Sequence, residues 1–121
     1  MSKQDYFQKA ISWAESLRLS EMKVNFEGYE APNSFNRTDA EEEMVFTPDI
    51  TGKRRTNKYY IEIAMKDDNN LEQISKWKLL GTMASMKGGK LYLLAPKGHK
   101  AFVDKMLAQH QFPSAEVVYL Q

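Results

Sequence analysis

The sequence predicts an α/β (α+β) domain in the order αβββαβαβ, an αβββαβ core with a C-terminal αβ, its mixed central sheet flanked by helices. Three observations carry this. Apolar residues recur at helical spacing in three separate segments. Between them, shorter runs alternate apolar and polar residues, as half-buried strands do. One further run, "KLYLLAP", is continuously apolar between Gly and Pro, the pattern of a strand buried on both faces and placed centrally in a sheet.

Taken in order, Tyr6, Phe7, Ala10, Ile11, Ala14 and Leu17 place an amphipathic first helix over residues 4–19. "EMKVNFEGY" (21–29) alternates Met22, Val24 and Phe26 against polar partners and reads as a strand. "APNSFNRTD" (31–39) has the Pro, Asn and Asp content of a loop. "AEEEMVFTPD" (40–49) and "KYYIEIAM" (58–65) read as strands joined through "ITGKRRTN" (50–57), which completes a meander. Asp68, Asn69 or Asn70 can cap a helix to about residue 86, with Leu71, Ile74, Trp77, Leu80 and Ala84 on its buried face. "KGG" ends that helix. After the buried strand, a helix over 99–109 carries Ala101, Phe102, Met106 and Leu107, and "AEVVYLQ" closes the chain as a strand.

Composition narrows the chemistry. At 121 residues and 42% hydrophobic content, the chain suits one domain, residues 1–121, with a modest core. It has no cysteine, so metal chemistry must use oxygen or imidazole ligands, and the expected compartment is a reducing one. The charged N-terminus and the lack of an apolar run of about 18 residues argue against a signal peptide or membrane span, so the expectation is a soluble, cytoplasmic protein with no membrane partner. A formal charge of +1 does not by itself imply nucleic-acid binding. The distribution of charge is uneven, however. Lys53, Arg54, Arg55 and Lys58 crowd one short connection, and Lys87, Lys90, Lys97, His99 and Lys100 flank the apolar strand, while "DAEEE" (39–43) is acidic. Basic loops of this kind contact phosphates; they also serve simply as soluble tips. His99 and His110 are too isolated to suggest a zinc site.

The most informative stretch is "TPDITGKRRTNKYYIEIAMK" (47–66). Asp49 and Glu62 fall on neighbouring strands, so their carboxylates can converge despite the twelve residues between them. Glu62 interrupts the apolar strand "YYIEIAM", where a buried carboxylate is costly without a cation or hydrogen-bond donors. If that strand instead shows one face to water, Glu62 is an ordinary exposed residue and Pro48-Asp49 an ordinary turn entry.

This order of elements, with Pro48 and Asp49 near the end of the second strand and Glu62 in the third, resembles the PD-(D/E)xK nuclease superfamily, whose fold is that of restriction endonucleases. The resemblance implies that Asp49, Glu62 and the Ile63 carbonyl hold a magnesium or manganese ion, that DNA (or RNA) is the substrate, and that phosphodiester bonds are hydrolysed. Homodimers are frequent in such small nucleases. "QISKW" (73–77) is similar to the Gln-x-x-x-Tyr element of the RecB-like branch, with Trp77 replacing Tyr, which brings in Gln73. The family's lysine is missing, since Ala64 stands in its place. Lys76, on a helical stripe beside the buried face, is a candidate replacement, because a flexible lysine stem reaches past apolar neighbours. Lys66 is on the same strand face as Glu62 but about 13 Å away. Glu15 is a further acidic candidate from the first helix. Three readings follow: a nuclease with a migrated lysine; an inactive homologue that binds nucleic acid or protein; and an unrelated α/β interaction module.

Overall fold

A computed structural model describes residues 3–39, 42–66 and 70–120. A 3-10 turn (Lys3–Tyr6) leads into α1 (Phe7–Glu15), β1 (Ser20–Val24), β2 (Phe35–Asp39), β3 (Glu42–Phe46), β4 (Ile50–Arg54) and β5 (Asn57–Ile63). There follow α2 (Asn70–Met86), β6 (Leu91–Ala95), α3 (Lys100–Gln109) and β7 (Ala115–Tyr119). The fold is α+β. Its main sheet has the order β1-β4-β5-β6-β7, antiparallel through β5 and parallel from β5 to β7. β2 and β3 form a separate two-stranded ribbon.

The alternation of β5 divides the molecule into three layers. Ile61 and Ile63 face α1 and join Phe7, Ala10, Ile11 and Ala14, whose helical spacing makes one apolar stripe. Tyr60 and Ala64 face the other way and join Ile74, Trp77, Leu80 and Ala84 of α2 with Val103 and Met106 of α3. β6 is interior to the sheet, and Leu91, Leu93 and Leu94 are buried on its two faces, as a continuous apolar run requires. Among the described residues, no helix is long and apolar enough to cross a membrane.

Several element boundaries differ from the sequence reading. The first helix stops at Glu15, short of Leu19, because Ser16–Arg18 turn and Arg18 takes φ +55°. β1 ends at Val24, where a turn with Gly28 at φ +94° carries the chain round so that the Val24 N–H meets the Glu30 carbonyl. Half of the expected loop at 31–39 is β2, and the expected strand at 40–49 contributes β3 to the ribbon rather than to the main sheet. The expected connection at 50–57 contains β4 itself, paired Ile50↔Ile61 through Arg54↔Asn57. Polar and glycine content suggested a loop there, but Gly52 is buried against Leu19, leaving no room for a side chain. The turn shrinks to two residues, with Arg55 at φ +59°. Leu71 is 80% exposed instead of buried, and Ala101 is exposed while Val103 takes its place in the core. The proposed capping residues Asp68 and Asn69 lie outside the described residues, and Asn70 is the first helical position.

Candidate metal and catalytic site

Asp49 directly precedes β4 and Glu62 is the penultimate residue of β5. Extending the Ile50↔Ile61 register by one step sets them opposite each other at one end of the sheet. Main-chain pairing stops there, and side chains continue it. The Asp49 N–H donates to Glu62 Oε2 at 2.6 Å, and the Ile63 N–H donates to Asp49 Oδ2 at 2.9 Å. Each carboxylate thus accepts the N–H that a ladder carbonyl would otherwise take, so both are fixed in place by the other's strand. The Asp49 carbonyl accepts from the Asn25 N–H at 2.8 Å, which anchors the turn after β1 to the same point. Asp49 is 3% and Glu62 1% exposed, so Glu62 is not a solvent-facing strand residue.

Two lysines neutralise the pair. Lys76 Nζ lies 2.8 Å from Glu62 Oε1, its side chain only 15% exposed on α2. Lys3 Nζ lies 2.7 Å from Asp49 Oδ2, reaching it from the turn that starts α1. Sequence reasoning selected Asp49, Glu62, Ile63 and Lys76, and the structure brings them together; it missed Lys3. The available signal was electrostatic, since a lysine at the start of a helix opposes the macrodipole unless a carboxylate is near.

The other candidates fall elsewhere. Glu15 is exposed at the far end of α1, eight residues beyond its first position and about 12 Å along the helix axis from it. That end of α1 adjoins the β4–β5 turn, where the Arg54 guanidinium donates to the Leu17 carbonyl, whereas the acidic pair lies at the other end of β4 and β5. Gln73 Nε2 donates to the Met65 carbonyl at 2.9 Å, tying α2 to the chain leaving β5 rather than reaching a carboxylate. Lys66 is exposed, and its backbone N–H donates to His99 Nδ1 at 3.0 Å. Ala64 is fully buried in the α2-side core, so a lysine side chain at that position would begin among Ile74 and Trp77. Of the basic residues at the β4–β5 turn, Lys53 and Lys58 are opposite each other on the α2-facing side, whereas Arg54 faces α1, its guanidinium 5.9 Å from the Tyr59 ring centroid.

Burial pushes the Asp49 carboxyl up from 3.8 to about 6, and the neighbouring Glu62 charge adds to the rise. The nearby Lys3 and Lys76 charges pull it down by less. A short ion pair to Lys3 and a raised pKa are compatible because the Lys3 side chain is 39% exposed and screened, while the carboxylate is not. Between pH 3.8 and about 6 the folded protein therefore binds more protons at Asp49 than the unfolded chain. The stability contributed by this group is full below that window and is lost as pH rises through it. Metal-free unfolding of the native protein, compared with Asp49→Asn at pH 4 to 7, is expected to show the native protein losing ground steadily with rising pH.

Among the described residues, no group of three or more His, Cys, Asp or Glu side chains comes together to hold a metal. The oxygen donors brought together are the two carboxylates, and the main-chain groups hydrogen-bonded to them are N–H groups, which do not ligate a cation. Such a set suits magnesium, which retains several waters and is bound through one or two carboxylates, better than zinc or calcium, which need fuller protein cages. Comparison with protein-family models, curated proteins and solved structures yields no match to this chain.

Proposed function

We propose that this domain is a metal-dependent nuclease of the PD-(D/E)xK type, hydrolysing phosphodiester bonds in DNA, with Lys76 replacing the lysine absent at Ala64. The observation that carries this reading is the 2.8 Å approach of Lys76 Nζ to Glu62, itself bonded to the Asp49 backbone. In this reading Asp49 and Glu62 hold the ion, with the Ile63 carbonyl as third donor. The bound ion supplies charge stabilisation on the phosphoryl oxygens and a water of lowered pKa. Lys76 presents its ammonium beside one carboxylate, where it orients the attacking water by hydrogen bonding and offsets negative charge on the phosphate. The Asp49–Glu62 hydrogen bonds keep both carboxylates in place before substrate arrives, the preorganisation that makes such electrostatics effective.

One observation favours a second reading, an inactive homologue acting as a nucleic-acid- or protein-binding module. Lys3 and Lys76 already neutralise both carboxylates, so the four side chains form a closed ion-pair set without a metal. The two readings part on metal binding. Titration with magnesium or manganese at pH 7.5 is expected to raise the melting temperature, because an ion that binds only the folded state stabilises it by mass action. Below pH about 6 the apparent affinity is expected to fall roughly tenfold per pH unit, as the Asp49 proton competes with the ion. A melting temperature indifferent to both ions leaves the binding-module reading in place.

A further inference from the structure

On the α2-facing side of β4 and β5, a polar row leads away from the acidic pair. Thr51 and Tyr60 are paired across the strands one step from it, and Lys53 and Lys58 one step further. Lys23 of β1 pairs with Thr51 on the same side. Lys87, at the end of α2, is held against the start of β5, because the Lys58 N–H donates to the Lys87 carbonyl. Gly89 permits this approach: a Cβ there would lie 1.6 Å from the Lys58 carbonyl oxygen.

Four ammonium groups are thereby gathered, and the carboxylate that pairs with them among the described residues is Glu21, 3.1 Å from Lys53 and largely exposed. An exposed pair of this kind is weak and readily exchanged. The C-terminal end of α2 contributes about half a negative charge, which leaves the cluster positive. Like charges directly opposite on adjacent strands destabilise a sheet, so Lys53 and Lys58 face each other at a cost to the free protein. Burial lowers the Lys58 pKa first, and the charges of Lys53, Lys87 and Lys23 lower it further. Between these lysines and the acidic pair, the Thr51 and Tyr60 hydroxyls are buried with no hydrogen-bond partner among the described residues, and their burial closes them to a strand lying on the surface.

We propose that Lys23, Lys53, Lys58 and Lys87 form a phosphate-binding subsite for the phosphodiester backbone of a nucleic-acid strand. Lys58 is four residues along β5 from Glu62, about 13 Å, or roughly four stacked nucleotides at 3.4 Å each. The placement of the strand over Asp49 and Glu62 rests on the nuclease reading; binding at the lysines does not. Arg54, on the opposite face of the sheet, is outside the subsite.

The test is equilibrium binding, in EDTA, of a fluorescein-labelled 20-base-pair DNA duplex and of the RNA duplex of the same sequence, across a salt titration. The native protein is compared with Lys23→Gln/Lys53→Gln/Lys58→Gln and with Lys97→Gln/Lys100→Gln/Lys105→Gln, which removes the same charge from exposed positions at and before α3. The first variant is expected to lower affinity by about 10- to 100-fold at low salt and to reduce the salt slope by about 2 to 3. The second variant is expected to change affinity by less than about threefold, as an unspecific surface charge does. The melting temperature of the first variant should rise by about 1–3 °C, since the like-charge repulsion is gone. Single Lys58→Gln should show the same two signs at smaller size. Equal weakening by both triple variants, no binding by the native protein, or loss of folding stability together with binding each overturns the subsite. DNA and RNA arms that agree assign the contact to the backbone; binding of only one overturns a purely backbone-reading subsite. Because no metal is present, failure here leaves the Asp49–Glu62 reading to be judged by metal binding and cleavage.

Discussion

Asp49→Asn is expected to raise the melting temperature of the metal-free protein at pH 7.5 and, in the same variant, to abolish stabilisation by magnesium. The first effect follows from burial. Asp49 is 3% exposed beside another carboxylate, and its carboxyl titrates near 6 instead of 3.8. Keeping it ionised at neutral pH costs the folded state at most about 3 kcal/mol. Asparagine mimics the neutral form and still offers an oxygen to the Ile63 N–H, which Asp49 Oδ2 now accepts at 2.9 Å. The expected gain is therefore several degrees, read by calorimetry in EDTA. The second effect follows because the amide carries no charge for a hard cation. A variant both more stable and metal-blind marks a site maintained against stability, as functional sites are. A variant less stable at pH 7.5 would show instead that the Lys3–Asp49 ion pair is structural.

Lys76→Ala should have the opposite sign. It removes the Lys76 ion pair of Glu62 and leaves that carboxylate, 1% exposed, on the Asp49 backbone N–H. Breaking a buried pair from one side costs about 3–5 kcal/mol, because the remaining charge is uncompensated. Magnesium should recover part of that loss by supplying a cation, so the metal-induced shift is expected to be larger than in the native protein. In the proposed nuclease, cleavage should nonetheless fall at least 100-fold, since the donor proposed to orient the water is gone. Restored stability without restored turnover separates a chemical role for Lys76 from a merely structural one. Rates equal to native in saturating magnesium would assign Lys76 to packing and charge balance alone.

Much of the architecture was legible because it rests on periodicity. The apolar stripe of α1, the Ile74–Trp77–Leu80–Ala84 stripe of α2 and the unbroken run of β6 each record burial directly in the sequence. β4 was not legible. Ile50-Thr51-Gly52-Lys53-Arg54 carries only one large apolar residue, and its place in the sheet is decided by tertiary contacts, with Leu19 packed against Gly52 and β1 and β5 on either side. The ribbon departs from the pattern in two ways: the Pro, Asn and Asp content of 31–39 reads as a loop where β2 forms, and the strand pattern of β3 says that the segment is extended, not which sheet it joins. The acidic pair was legible because Glu62 is anomalous in an apolar strand, and Lys76 because helical spacing put it beside the buried face. Lys3 could not be found by spacing, since its partner is 46 positions away in the chain. Nor did the cluster of basic letters at 53–58 reveal that Arg54 and Lys58 face opposite sides of the sheet, because the strand boundary that fixes their parity was itself displaced.

Whether Asp49, Glu62 and Lys76 form the proposed hydrolytic centre is decided by DNA cleavage. Purified native protein is incubated with supercoiled plasmid, linear duplex and branched DNA in magnesium, in manganese and in EDTA, alongside Asp49→Asn and Lys76→Ala. The proposed centre requires cleavage of at least one substrate by the native protein with either ion, none in EDTA, and loss in both variants while the Asp49→Asn chain remains fully folded. No cleavage by the native protein with either ion, or cleavage that persists undiminished in Asp49→Asn, would contradict it.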